Sequence, residues 1–207
     1  MQHPIYIRNH INSLEIVEES NQILFGYDTG VIASVKIDDL KSLEQSSINQ
    51  IAADFYTFDH DSWVMCISAS HSMNMFASIN LENDIFINSL SSGMFLNKIT
   101  LCPAVSRVYS IWLNKNAYVT LSGTIRLKNN GEMVDRKFIQ SIGINGDFVG
   151  KPCYINANIF KIDQDRAYIH NCGLHINLLS GNIENWSNEE YEFHPNLMQP
   201  VYARSHM

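Results

Sequence analysis

The amino-acid sequence predicts an all-β fold made of about four consecutive four-stranded units. Apolar and polar residues alternate over short runs along most of the chain, which is the pattern of half-buried strands. Clusters of Gly, Asn, Asp and Ser separate these runs and provide turn residues. An alternating strand followed by a glycine recurs at Gly93, Gly131 and Gly181. The intervals between these glycines lie near the roughly 40 to 45 residues of one propeller blade.

The first unit is predicted at residues 11–58. Alternation indicates three strands, at residues 13–17, 22–28 and 31–37. Residues 38–58 instead carry apolar side chains at near-helical spacing after a pair of aspartates that suit a helix start. This segment predicts a short helix before, or in place of, an outer strand.

The second unit, residues 60–101, has the clearest pattern. Its alternating runs predict four strands, at residues 64–70, 75–80, 84–90 and 95–101. A few polar residues join each pair of runs. Four short strands in about 40 residues match one propeller blade.

The third and fourth units are predicted at residues 105–139 and 152–186. In the third unit, strands are predicted at residues 108–113, 117–121, 124–128 and 132–139. In the fourth unit, they are predicted at residues 153–162, 167–171, 174–179 and 182–186. The stretch GINGDFVG, residues 143–150, predicts a loop between the units, because it is rich in glycine and no helix follows it. Residues 187–207 lose the alternation and predict a polar C-terminal tail.

Composition excludes several classes of partner. The chain has 207 residues, of which 45% are hydrophobic, so it can bury a core. Its formal net charge of -7 gives no electrostatic reason to bind nucleic acid or an anionic membrane. No window approaches the roughly 20 apolar residues of a membrane span, so we expect only indirect membrane contact. The four cysteines lie far apart without a Cys-x-x-Cys pair, which predicts reduced, buried thiols in a cytosolic protein.

The second unit resembles a WD-repeat blade in DHDSWVMCIS, MFASINLENDIFINSL and SSG. In that family a histidine precedes the first strand, a small hydroxyl residue lies in the second, and an acidic turn leads to the third. The resemblance places His60, Ser78 and Glu82 at these positions, and Gly93 in the blade turn, with Gly131 and Gly181 as its counterparts in later units. Asn88-Ser89 replaces the usual Trp-Asp pair, so the hydrogen-bonded tetrad of the family is expected to be at best partial.

The phrase AYVTLSGTIRLKNNGEMV in the third unit resembles the C-terminal propellers of BEACH-domain proteins. This resemblance implies a scaffold segment of a large protein in vesicle trafficking, located in the cytoplasm or peripherally on endomembranes. Propellers close with roughly 4 to 8 blades. Four units therefore make either a minimal ring or, as we favour, part of a larger one, whose open strand edges would promote self-association.

Two groups of residues have the chemistry of a site but lack a complete pattern. His170, Cys172 and His175 are zinc-ligand types, yet the two histidines fall on different strands of a hairpin and no fourth ligand is visible. His60 with Ser62 or Cys66 could pair a base with a nucleophile, but no orienting group, oxyanion pocket or hydrolase signature surrounds them. We therefore assign no catalytic, cofactor-binding or metal-binding residue.

The sequence favours a non-catalytic scaffold that binds other proteins and needs no cofactor. Trp63, Trp112 and Trp186 are predicted to pack between blades, or to contribute to a partner surface if exposed. The alternative is a propeller-type enzyme or small-ligand binder that uses polar residues at the central mouth of the ring. A β-sandwich would replace both hypotheses if strands paired between units instead of within them.

Overall fold

Four antiparallel sheets of four strands make up the computed structural model. It describes residues 10–41, 53–129, 132–154, 159–163, 166–169, 174–177 and 183–185. The first sheet contains β1 (Ile11–Val17), β2 (Gln22–Tyr27), β3 (Ile32–Lys36) and β4 (Phe55–Thr57), with a helix α1 (Ile37–Lys41) before β4. The second contains β5 (Val64–Ser70), β6 (Met75–Asn80), β7 (Asp84–Ser89) and β8 (Phe95–Thr100).

The third and fourth sheets follow in chain order. The third contains β9 (Val105–Leu113), β10 (Tyr118–Asn129), β11 (Glu132–Gly143) and β12 (Phe148–Tyr154). The fourth contains β13 (Ile159–Asp163), β14 (Arg166–Ile169), β15 (Leu174–Asn177) and β16 (Ile183–Asn185). In every sheet each strand pairs with its neighbour in sequence. The four-stranded units are therefore confirmed, and the β-sandwich alternative is wrong.

The predicted strands of the second sheet agree with the structure, and β5 and β6 have the predicted bounds. In the first sheet the choice left open by residues 38–58 is resolved, because both α1 and the outer strand β4 are present. Residues 42–52 lie outside the described part of the chain.

Two predictions for the third sheet are wrong. The strands predicted at 117–121 and 124–128 are one continuous strand, β10, because Ser122 and Gly123 pair with β11 instead of forming a turn. The register of β9 against β10 shifts at this point, and a Cβ on Gly123 would lie 2.3 Å from the carbonyl oxygen of Arg107. Glycine thus permits a bulge and a close backbone approach within the strand.

Half of the loop predicted at residues 143–150 is sheet. Gly143 ends β11, Gly146 turns with a φ of 92°, and β12 begins at Phe148. The Asn and Gly residues read as a long loop form a tight hairpin turn instead. The third sheet consequently extends to Tyr154, beyond the predicted limit of residue 139, and the strand predicted at 153–162 is divided between β12 and β13.

The first three sheets pack face to face. The first strand of the second sheet contacts the first strand of both others, so β1, β5 and β9 lie side by side. The apolar cluster between the first two sheets contains Val17, Leu24, Ile32, Val64, Ile67, Phe76 and Leu90. The cluster joining the second and third sheets contains Ala77, Ile79, Ile85, Ile87, Ile99, Val108, Ile111, Leu113, Val119, Leu121, Phe138 and Ile142. This stacking is the arrangement of propeller blades.

The turn between the first and second strands repeats in three sheets, which the sequence analysis missed. It contains a left-handed residue in each case, namely Asn21, Asn74 and Ala117, with φ values of 56°, 51° and 63°. The carbonyl oxygen of each accepts a hydrogen bond from the backbone N–H of Ile37, Leu90 or Ile144, respectively. Asparagine tolerates this conformation better than other non-glycine residues, so two of the three positions carry a suitable side chain.

We expect Ala117→Asn to stabilise the protein. The substitution supplies the residue type found at the two equivalent turns, and should raise the free energy of unfolding by about 0.5–1 kcal/mol by relieving strain in the left-handed conformation. Urea denaturation of the two proteins measures the difference. The matched control is Ala104→Asn, at a position without a positive φ. An equal effect of both substitutions would contradict this explanation.

Candidate functional site

His60 and Ser78, which the sequence resemblance places at blade positions, meet inside the second sheet. His60 lies between β4 and β5 and is 6% exposed, and Ser78 in β6 is completely buried. The Nε2 atom of His60 and the Oγ atom of Ser78 are hydrogen-bonded at 2.7 Å. The ring of His60 also packs edge-on against Phe86, with 4.2 Å between ring centroids. The pair therefore joins the segment before β5 to the middle of the sheet.

The protonation of His60 suits a structural role. Burial lowers its pKa from 6.5 to about 4, against the opposing charges of Asp61 and Asp84. The imidazole is thus neutral near pH 7, and its Nδ1 atom has no hydrogen-bond partner among the described residues. The Oγ atom of Ser62, the serine considered as a nucleophile, is buried and has no hydrogen-bond partner among the described residues, and the hydroxyl of Ser78 is likewise out of contact with solvent. The geometry does not provide an accessible nucleophile and base.

Cys66 is also unsuited to nucleophilic chemistry. Burial raises the pKa of its thiol to about 11, and its Sγ atom donates a hydrogen bond to the carbonyl oxygen of Tyr109 at 3.3 Å. A protonated thiol is a poor nucleophile. Cys102, by contrast, is exposed, so the prediction of buried thiols is wrong at that position.

The acidic turn to which the resemblance assigned Glu82 is followed by a second acid, Asp84. Glu82 is exposed in the turn between β6 and β7, whereas the charge of Asp84 acts on His60. Burial opposes ionisation of Asp84, but hydrogen bonds from Lys98 and Thr100, both 2.7 Å long, outweigh it and lower its pKa. The ammonium group of Lys98 also lies 5.1 Å from the centre of the Phe86 ring. Asp84 thus belongs to an ordered network that extends from the turn to β8.

Gly93 sits where the second sheet approaches the first. Its φ of 70° is left-handed, and a Cβ there would lie 2.4 Å from a ring carbon of Phe55 in β4. The side chain of Asn88 donates hydrogen bonds to the carbonyl oxygen of Gly93 at 3.1 Å and to the carboxylate of Asp59 at 2.6 Å. Asn88, which stands where the family has tryptophan, therefore ties the turn to the segment between the sheets.

Most of the remaining predicted site residues fall outside the described part of the chain. Gly131, Gly181, His170 and Cys172 lie outside the described residues, and His175 is described only as part of β15. Within the ranges that the structure covers, no group of three or more His, Cys, Asp or Glu side chains could hold a metal ion.

Glu15 in β1 faces β5 and has a shifted pKa. Burial raises this pKa to about 6, opposed by a hydrogen bond of 3.1 Å that the Ala69 N–H donates to its carboxylate. It is not joined by further acidic or histidine side chains in a metal-binding group of the described residues. The arrangement links two blades and does not resemble a catalytic centre.

A groove opens between the second and third sheets, beside the β6–β7 turn. It is lined by Met65, Asn80, Leu81, Asn83, Ser106, Arg107 and Val108, and we call it the inter-sheet groove. Its volume of about 270 Å³ lies below the range typical of small-molecule sites. Leu81 is 56% exposed, and its N–H donates a hydrogen bond to the carbonyl oxygen of Trp63, which is 52% exposed. Trp63 is therefore not packed between blades. Its exposure agrees with the second expectation, that it contributes to a surface for a partner.

The polar wall of this groove is fixed by hydrogen bonds. The Asn80 side chain accepts one from the N–H of Asp84 at 2.8 Å, and the Asn83 side chain donates one to the carbonyl oxygen of Val105 at 3.1 Å. Asn83 also has a left-handed φ of 64°. On the opposite wall the guanidinium of Arg107 lies 5.8 Å from the ring centre of Tyr109. The groove thus combines exposed apolar side chains with preorganised polar groups.

Comparisons with known proteins identify the fold alone. No family model matches the sequence, and no curated protein matches it. Among solved structures, RRP9 WD40 repeats align with a TM-score of 0.58 and 11% identity over 86% of this chain and 52% of that chain. BamB from Moraxella catarrhalis aligns with a TM-score of 0.53 and 12% identity over 86% and 49%. The propeller domain of Myceliophteria thermophila Swd1 has a TM-score of 0.47 and 12% identity, over 67% and 39%.

The consecutive four-stranded sheets and the likeness to RRP9 and BamB make this fold a β-propeller. Each sheet is therefore a blade. The chain spans about half the length of these solved chains, as expected for part of a larger ring. Nothing in these likenesses supports the BEACH-type origin.

We expect Gly93→Ala to destabilise the protein strongly. An alanine would be strained at this φ and its methyl group would collide with Phe55, so the free energy of unfolding should fall by about 2–4 kcal/mol. In a Phe55→Ala background the collision is absent, and the same substitution should cost only about 1–2 kcal/mol. Denaturant unfolding of the four proteins tests this coupling. Equal costs in the two backgrounds would show that the ring contact is unimportant.

The lowered pKa of His60 predicts a pH-dependent stability. Between the unfolded value of 6.5 and the folded value of about 4, the unfolded chain binds more protons. The stability that the neutral, buried His60 contributes to the folded protein is therefore complete above pH 6.5. It is lost as the pH falls towards 4. The gap in unfolding free energy between wild type and His60→Gln should change by on the order of 2 kcal/mol between about pH 7.5 and 4.5, in the direction of lost wild-type stability.

Urea unfolding across this pH range measures the gap directly. The control is His71→Gln, which alters an exposed histidine in the turn between β5 and β6. This variant removes a histidine that lies outside the buried network, so comparison with it isolates the effect of burial at His60. A constant gap for His60→Gln would exclude the proposed neutral, buried imidazole.

Proposed function

We propose that this chain is a non-catalytic scaffold segment that binds other proteins through the inter-sheet groove. The observation that carries the proposal is the exposure of Trp63 and Leu81 beside that groove. Large apolar side chains that stay exposed next to a groove are characteristic of interaction sites. Tryptophan and arginine are also enriched among the residues that dominate binding energy. Trp63, Leu81 and Arg107 are therefore the proposed anchors.

The rigidity of the groove supports this role. Asn80 and Asn83 are already held by hydrogen bonds, so binding a partner would not require ordering them. A preorganised surface loses less conformational entropy on binding, which improves affinity. The small volume favours insertion of one or two side chains of a protein partner over enclosure of a metabolite.

The buried network below the groove has a supporting function in this proposal. His60, Ser78 and Asp84 hold the segment before β5 and the β6–β7 turn in place. The wall of the groove that contains Leu81 and Asn83 begins at these elements, whereas the opposite wall belongs to β9. The blade positions therefore act on binding through the shape of the turn, without contacting the partner.

A narrower proposal places the chain in a BEACH-type protein of vesicle trafficking. It depends on the sequence resemblance of AYVTLSGTIRLKNNGEMV and predicts a cytoplasmic location or a peripheral one on endomembranes. In the part of the chain that is described, no helix has the length and apolar character to cross a bilayer. Fractionation of cells expressing the full-length protein tests the proposal. Release from membranes by high salt would support it, and recovery in another compartment would exclude it.

A photo-crosslinking experiment tests the binding groove. A benzophenone amino acid at Leu81 should give discrete crosslinks to protein partners in extracts, whereas the same group at the exposed Met94 in the β7–β8 turn should not. Trp63→Ala in the Leu81-labelled protein should reduce the crosslinked yield by about tenfold, because a tryptophan anchor commonly contributes more than 1 kcal/mol. Folding of each variant is checked by circular dichroism.

The proposal fails if Leu81 and Met94 give the same crosslinks, since the groove would then have no selectivity. It also fails if Trp63→Ala leaves the yield unchanged. A saturable metabolite that protects Leu81 from crosslinking, with no protein partner captured, would favour the small-ligand alternative.

A further inference from the structure

The β10–β11 hairpin of the third blade extends beyond its neighbours. β9 pairs with β10 only as far as Ile125, and β12 pairs with β11 only from Phe138 onward. The two long strands continue to pair with each other up to Asn129 and Glu132. At roughly 3.3 Å per residue, the ribbon projects about 13 Å past β9 and about 20 Å past β12. We call residues 126–129 with 132–137 the distal ribbon.

The outer edge of β11 is unpaired along the distal ribbon, within the described residues. No described strand pairs with residues 132–137 on the side away from β10. Met133 is 61% exposed, and its neighbours Glu132, Asp135, Arg136 and Lys137 are also exposed. An unpaired strand edge presents backbone N–H and C=O groups to which another strand can add.

One face of the distal ribbon forms a second groove. It is lined by Leu127, Lys128, Val134, Arg136 and Tyr154, and we call it the ribbon groove. Leu127 and Val134 are directly opposite each other in the ladder and form a half-buried apolar floor. Tyr154 ends β12 and is half exposed beside them. The floor can accept an apolar side chain from an added strand.

The distal ribbon carries four basic and two acidic residues, although the whole chain has a net charge of -7. Arg126 is neutralised by Asp135, with 3.0 Å between Nε and Oδ1. Lys128 and Arg136 have no ion pair among the described residues and both border the groove. Arginine can bind a carboxylate through two parallel hydrogen bonds. The ribbon groove is therefore complementary to an acidic ligand.

We propose that the ribbon groove binds an extended acidic segment of a partner protein, which adds as a strand to the free edge of β11. Alternate residues of an added strand face the same side. The matching segment therefore has acidic and apolar residues alternating along the face that carries the floor, with a carboxylate at Arg136, which shares that face, whereas Lys128 lies on the opposite face of the ladder. The apolar residues lie over Leu127, Val134 and Tyr154. This site is separate from the inter-sheet groove and binds independently of it.

The test uses a fluorescent octapeptide with glutamate and valine alternating on one face and threonine on the other. We expect saturable binding to the full chain by fluorescence anisotropy, weakened by salt. A peptide with glutamine in place of glutamate should bind at least tenfold more weakly. A glutamate peptide N-methylated at alternate backbone positions should also lose binding, because it lacks the hydrogen bonds of an added strand.

Arg136→Glu should weaken binding by at least tenfold, and Lys128→Glu, on the opposite face of the ribbon, should have a smaller effect. The matched control is Lys115→Glu, an exposed lysine before the opposite end of β10, which should leave binding unchanged. Leu81→Asp should also leave peptide binding unchanged, so failure of the inter-sheet groove can be told apart from failure of this site. Circular dichroism confirms the fold of each variant.

Several outcomes would overturn the proposal. Equal binding of the glutamate and glutamine peptides would remove the charge argument, and full binding of the N-methylated peptide would exclude strand addition. If Lys115→Glu weakened peptide binding equally, the effect would be explained by the net charge of the protein and not by the ribbon groove. Preference for heparin or phosphatidylserine vesicles over the peptide would point to a polyanion site. Self-association abolished by Arg136→Glu, without peptide binding, would assign the edge to contacts between copies of this chain.

Discussion

Each blade depends on burial of its faces against the next, because an isolated sheet of four short strands cannot bury enough apolar surface to be stable. The second blade illustrates this dependence. Along β6, Phe76 points into the cluster shared with the first blade, whereas Ala77 and Ile79 point into the cluster shared with the third. All three are fully buried. A strand with two buried faces is stable only within the stack.

Burial of this kind requires that polar groups between the blades find partners. The hydroxyl of Ser13 donates a hydrogen bond to the carbonyl oxygen of Val64 at 3.2 Å. The side-chain amide of Gln22 donates one to the carbonyl oxygen of Leu90, also at 3.2 Å. The hydroxyl of Ser68 accepts from the N–H of Leu113 at 3.0 Å. Because these bonds are directional, they fix how neighbouring blades are placed. Apolar packing supplies the stability, and the polar bonds define the geometry.

The sequence revealed the blades best where turn residues and alternation coincide. In the second blade both signals change at the same positions, and the predicted bounds of β5 and β6 are those observed. In the third blade Gly123 interrupts the alternation without ending the strand, since its role is to let β9 approach closely. A glycine that is needed for close packing inside a strand cannot be told from a turn glycine by the sequence alone. Only the pairing of β10 with β11 distinguishes the two.

The candidate site was predictable only in part. The family pattern identified His60 and Ser78, because their order along the chain is enough to find them. Asp84 was missed, since the pattern places the acid in the turn and only the strand register brings Asp84 beside Lys98. The inter-sheet groove could not be predicted, because the exposure of Trp63 and Leu81 is determined by how two blades meet.

The contacts between blades also determine where partners can bind. Asn83 reaches from the second blade to Val105 at the start of the third, so the bond that joins the blades also forms a wall of the inter-sheet groove. The distal ribbon lies beyond such contacts, and its surface is defined mainly by the ladder between β10 and β11, with Tyr154 of β12 beside it. A rigid groove and a projecting strand edge suit different ligands, because the first selects side chains and the second selects an extended backbone. One blade pair can therefore present two surfaces that need not compete.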